Sequence, residues 1–151
     1  MIANKGNNSQ LINAPNPVIE PIFPDFVAKR TVVRDIKFQV LVHGSNKTDV
    51  QPNLLRILIL RPKTQQGSIQ LLGEALKREW NSAISRLDYE ILYDKLTWCT
   101  EIASINELLT LKNCDAAMTS ERNFHLIITS NSIDAYKCIY IYDCILETRN
   151  T

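Results

Sequence analysis

The chain lacks a charge of one sign. Lysine and arginine number 17 and aspartate and glutamate 16, a formal net charge of +1 over 151 residues. That balance excludes a dedicated nucleic-acid binder working through a large positive field, while leaving room for a local basic patch. Long apolar runs are missing as well. The longest, such as Ile57–Leu60, cover about four residues, against roughly 20 for a bilayer-spanning helix. No apolar core of the signal-peptide kind stands in the first residues. The expectation is a soluble protein with no membrane partner.

Paired cysteine motifs are also absent. Cys99, Cys114, Cys138 and Cys144 never fall into a CxxC spacing, which argues against a zinc site. Cys138 and Cys144 sit on one expected strand and on one face. At ~3.3 Å per residue they lie about 20 Å apart, beyond disulfide reach. All four therefore read as free thiols acting as small hydrophobes, which fits folding in a reducing compartment. No phosphate-binding loop and no nucleophile with a neighbouring base can be found, and His43 and His125 have no ligand-spaced Cys or Asp nearby. Asp88 and Asp94 flank an expected strand roughly 20 Å apart, too far for paired acid–base work. Asp94, followed by Lys95, reads as a turn former. Neither catalysis nor a cofactor or metal is expected.

What is present is globular: 45% hydrophobic and 22% charged residues, enough chain for one domain with its own core. Residues 1–29 read as an arm rich in Asn and Pro, with Pro15, Pro17, Pro21 and Pro24 excluding a helix or a central strand there. Residues 30–151 read as the folded body. Thr31–Val42 is rich in β-branched residues and predicts a long strand, and Leu54–Leu60 a buried one. Gly44–Asn46 predicts a turn. Ser68–Ser82 carries the chain's helix chemistry, with Leu71, Leu72, Ala75, Leu76, Glu79 and Trp80 near helical spacing, Lys77 and Arg78 on the other side, and Gly73 weakening it. Leu87–Tyr93 and Leu96–Ile102 predict a hairpin around Asp94-Lys95. Glu107–Asn113 reads as a strand or a short helix. Phe124–Thr129 and Lys137–Leu146 predict two further strands. Seven or eight strands with no β-α-β alternation favour an all-β sandwich or barrel.

Several of these segments, taken in order, resemble the coat proteins of small circular single-stranded DNA viruses. Arg56–Leu60 followed by Arg61, Pro62 and Gly67 is similar to that family's Arg-flanked aliphatic strand and its Pro/Gly loop. Arg86 with Tyr89-Glu90-Ile91-Leu92-Tyr93-Asp94-Lys95 is similar to its Arg-aromatic-x-Val-Leu-x-Asp-Lys element. Leu108–Lys112, Leu126–Ser132 and Tyr136–Leu146 look like its closing strands. The resemblance covers residues 30–148 by order of elements, and the Tyr-Asp-Lys element carries it at the residue level. It implies an eight-stranded antiparallel jelly-roll sandwich with a short helix in a loop and an irregular N-terminal arm. It also implies a capsid subunit that assembles with many copies of itself into an icosahedral shell, a virion built inside the host cell around single-stranded nucleic acid. The chain departs from the family at its start, where a neutral Asn/Pro arm replaces the usual Arg/Lys-rich one. Small satellite RNA virus coats share the architecture.

Two residue sets follow from that resemblance. Lys29, Arg30, Arg34 and Lys37, with Asp35, give a local charge of +3 that would face phosphate inside a shell. Alternatively they guard a solvated strand edge against pairing. Val18, Ile19, Ile22 and Phe23 would cross a subunit interface, or else pack over an open edge of their own sheet. Tyr136, Tyr140 and Tyr142 read as candidate base-stacking platforms, and Tyr140 and Tyr142, which share a face, alternatively as core or cross-strand pairs. The rival reading of the whole chain is a non-enzymatic β-sandwich binding module serving host interaction, movement or carbohydrate recognition.

Overall fold

The computed structural model describes residues 2–21, 31–43, 53–63, 68–99, 102–110, 124–132 and 136–148. They form an all-β, antiparallel fold with one helix. In chain order the elements are β1 (Ile2–Ile12), β2 (Val18–Pro21), β3 (Thr31–His43), β4 (Asn53–Pro62), α1 (Ile69–Arg78), β5 (Tyr89–Cys99), β6 (Ile102–Thr110), β7 (His125–Ser130) and β8 (Tyr136–Thr148). Among the described residues these strands make two sheets of four, ordered β1-β8-β3-β6 and β2-β7-β4-β5.

The pairing follows a simple rule. The first strand pairs with the eighth, the second with the seventh, the third with the sixth and the fourth with the fifth, all antiparallel. The chain thus forms a nested double ribbon. Wrapping that ribbon brings β3 beside β8 and β4 beside β7, which closes each sheet to four strands. Alternate ribbon segments fall in alternate sheets, so the chain crosses between sheets at every connection except that from β4 to β5, which pair within one sheet. At the first crossing Asn13 and Asn16 close a tight turn. The Asn16 side-chain amide donates to the Asn13 amide oxygen at 2.8 Å, and the Ala14 N–H donates to the Ser132 carbonyl at 2.7 Å.

Burial on both faces explains the apolar run Ile57–Leu60 within β4. Direct partners share a face, so Ile57 with Ile128 and Ile59 with Leu126 form the inner face of the second sheet. All four are at most 1% exposed. Tyr140 of β8, fully buried, donates its hydroxyl proton to the Glu20 carboxylate of β2 at 3.2 Å and ties the two sheets together. Tyr140 is therefore a core residue. Leu58, Leu60 and Ile127 form the outer face and pack against Leu72 and Leu76 of α1.

The helix forms where its chemistry predicts. Ser68 caps its start, its hydroxyl oxygen accepting from the Leu71 N–H at 3.3 Å. Lys77 and Arg78 close its last turn, where cations suit the helix dipole. Gly73 is explained by close approach: a Cβ there would come within 3.0 Å of Ile19 Cδ1. A bare backbone lets the helix settle onto the edge strand β2.

Three expectations need correction. The first half of the arm is a strand: Ile2–Ile12 pairs with β8, and Val18–Pro21 extends the second sheet beside β7. Both take edge positions, where prolines and residues of poor β-propensity are tolerated because one side needs no ladder. Second, Asp94-Lys95 makes no turn. β5 continues past them from Tyr89 to Cys99, with one register shift at Leu92, Asp94 opposite Leu58 and Lys95 opposite Ile57. Third, β3 is flanked by β8 and β6, so its cations guard no strand edge. Glu107–Thr110 belongs to a strand, β6. The expected turn at Gly44–Asn46 lies outside the described residues.

Candidate functional site

The outer face of the helix-bearing sheet divides into three zones along β4. Leu58 and Leu60 are covered by α1. Arg56, two residues earlier, lies beneath the segment that follows the helix, with its side chain 7% exposed. Its Nε and Nη2 donate to the two Asp94 carboxylate oxygens at 3.0 and 2.9 Å, a bidentate pair, and Nη1 donates to the Ser82 carbonyl at 2.6 Å. Opposite Arg56 on β7, Thr129 donates its hydroxyl proton to the Trp80 carbonyl at 3.0 Å. Two side chains of the sheet therefore hold the chain as it leaves the helix. Tyr89 holds the other end, donating to the Ser68 carbonyl at 2.7 Å.

Burial, followed by the nearby Asp88 carboxylate, raises the Tyr89 phenol above its ordinary value of 10.0. The unfolded chain then loses this proton before the folded one. Stability from the protonated phenol is complete below that ordinary value and is lost as pH rises through the raised native value. At about pH 8, Tyr89→Phe should cost about 1 kcal/mol for the lost hydrogen bond. The gap between wild type and variant should narrow toward about pH 11 in urea unfolding, as the wild type loses stability that the phenylalanine variant does not. A gap that stays constant across that range would contradict the assignment.

A second charged pair lies further along β4. Arg61 Nε donates to the Glu90 carboxylate opposite it, and the guanidinium carbon stands 4.9 Å from the centre of the buried Phe124 ring. These contacts rigidify the face. Among the described residues, no group of three or more His, Cys, Asp or Glu side chains could hold a metal ion.

The third zone is uncovered. Leu54 and Trp98 face each other across β4 and β5, and Leu96 pairs with Arg56. Trp98 is 64% exposed and Leu96 46%. β5 is the end strand of its sheet. An aromatic and an aliphatic side chain thus stand in solvent on one face of an edge strand. The sequence reading missed them, having split this strand at Asp94. Period-two continuity through Leu92, Asp94, Leu96 and Trp98 was the available signal.

The expected site residues scatter. Val18 is fully buried in its own chain, and Ile19 packs on the helix-covered core, as in the intramolecular alternative. Ile22 and Phe23 lie outside the described residues, as do Lys29 and Arg30. Arg34 falls at a register shift between β3 and β8, and Lys37 lies opposite Asp143 on β8 and Leu108 on β6. The Cys138 thiol is buried.

No protein-family model matches the chain. No curated protein matches it either. Among solved structures, the chain is similar to the Yersinia pseudotuberculosis-derived mitogen, with 13% identity and a TM-score of 0.43 over 99% of this chain and 92% of that one.

Proposed function

We propose that this chain is a single jelly-roll coat subunit that assembles with copies of itself into a closed viral shell. The observation that carries the reading is the pairing order: eight strands whose partners nest first-to-eighth through fourth-to-fifth, in sheets 1-8-3-6 and 2-7-4-5. A double-sheet jelly roll is an eight-stranded ribbon wound in this sense. The segments that resemble the circular DNA virus coats support it further, since they fall on separate strands in the same order: Arg56–Leu60 on β4, Tyr89–Lys95 on β5, Leu108 on β6, and the last two on β7 and β8.

In this reading the protein has no catalytic role. Two paired sheets and a clamped helix make a rigid block, and a shell needs rigid blocks with repeated contacts. Lys37 and Arg34 on β3, with Lys29 and Arg30 before it, would contribute the charge that meets packaged single-stranded nucleic acid. Assembly would take place inside the host cell, as the resemblance to the coat proteins implies.

Electron microscopy of the purified full chain tests this. The expected result is closed particles of one diameter. Isolated subunits across a range of salt and pH would overturn the shell and favour a sandwich that works as a binding module.

A further inference from the structure

We infer that the open edge of β5 pairs with β5 of a second copy across a two-fold axis at Thr97. The inference rests on the shell reading for its partner. It begins with how two of the other three sheet ends, β2 and β1, are protected. β2 has four residues and ends in Pro21, which offers no N–H. β1 carries a register shift near its start. The first half of β5 is broken by a register shift that leaves Leu92 unpaired, and it holds Glu90, Asp94 and Lys95. Its last residues, Leu96-Thr97-Trp98, have no charge, no proline and no bulge, and two of them are exposed apolar side chains. They are the unguarded part of the edge.

Symmetry then selects the register. An isologous antiparallel pair keeps both outer faces on the same side, so partners must share a face. Centring on Lys95 would set the two lysines against each other. Centring on Leu96 would set Trp98 against Asp94. Centring on Thr97 sets each Leu96 opposite Trp98 of the other copy, an aromatic–aliphatic cross-strand pair made twice, with Lys95 opposite the neutral Cys99.

The area decides what kind of contact this is. A tryptophan side chain buries at most about 250 Å², so the exposed parts of Trp98 and Leu96 amount to roughly 200 Å² per copy and about 400 Å² per pair. That is far below the ~1,200 Å² of a stable isolated complex. A contact this small holds only when repeated, as in a shell where every subunit makes several at once.

Thr97→Cys in the full chain tests the register, because residues directly opposite in an antiparallel pair bring their Cβ atoms to about 5 Å. Under mild oxidation the expected result is a shift to the dimer position on a non-reducing gel, beyond any wild-type background. Adding Trp98→Glu should abolish the shift without moving the unfolding midpoint. Particles from the wild type with no extra dimer from Thr97→Cys would overturn the inference while leaving the shell intact. Dimer from Thr97→Cys with no particles would support the two-fold contact and remove the shell. Absence of both would overturn both.

Discussion

Leu58→Ala should lower the stability of the subunit by about 3–5 kcal/mol. Leu58 is fully buried, at the centre of the cluster formed with Leu60, Leu72, Leu76, Tyr89 and Ile127. It is where the sheet meets the helix. Removing its branched end deletes buried apolar surface and leaves a cavity between two elements that are fastened independently. Arg56, Thr129 and Tyr89 still hold the chain at both ends of α1, so the helix cannot simply drop into the gap. A site that cannot collapse sits at the upper end of the range for such truncations. The loss is a large fraction of the stability of any small domain. Chemical unfolding, at concentrations where the chain stays monomeric, should show a lower midpoint with an unchanged slope. Leu96→Ala, on the same sheet face but 46% exposed, should cost less than about 1 kcal/mol.

Asp94→Ala should cost about 2–3 kcal/mol, through the partner it abandons. Arg56 would keep its charge, with its side chain 7% exposed, and lose two of the three acceptors described here. Removing one member of a fully buried pair costs about 3–5 kcal/mol. Asp94 is 32% exposed, so water reaches the vacated side and the cost falls below that range. Replacing both residues, Arg56→Met with Asp94→Leu, should recover most of the loss, because no uncompensated charge remains. The same pair of unfolding curves separates two roles for Asp94. A residue that merely formed a turn would tolerate Asp94→Asn, whereas loss of the carboxylate charge beneath a buried guanidinium would not be tolerated.

That contrast shows where the sequence was readable. Ser68, the apolar spacing of Leu72 and Leu76, and the terminal cations specify a helix locally, and α1 starts one residue after the expected Ser68 and ends at Arg78, four residues before the expected Ser82. The continuous apolar run of β4 announces a strand buried on both faces. Asp94 misleads because its justification lies 38 residues upstream, in Arg56. No window of sequence around Tyr93-Asp94-Lys95 contains that fact, and two charged residues between apolar runs otherwise mean a turn. β1 misleads for a related reason. Asn4, Gly6, Asn7 and Asn8 disfavour a strand by propensity, and the partner strand β8 that overrides this is more than 120 residues away. The exposed pair Leu96 and Trp98 was hidden by the same misplaced turn.

The all-β class was legible from strand spacing, while the winding of the ribbon depends on which distant strands meet. Lys37 was selected as part of a net positive segment, yet its register partner on β8 is Asp143. Charge summed along a strand ignores what the neighbouring strand places opposite.

Sedimentation velocity on the full chain at micromolar concentration tests self-assembly most directly. Sixty copies of a 17.3 kDa chain, the number of equivalent positions in the simplest icosahedral shell, make about 1 MDa. The account predicts a sharp boundary at that mass or a larger closed multiple of it, with little material between it and free subunits. A single boundary at the mass of one or two chains, unchanged by concentration, salt or pH, would contradict it.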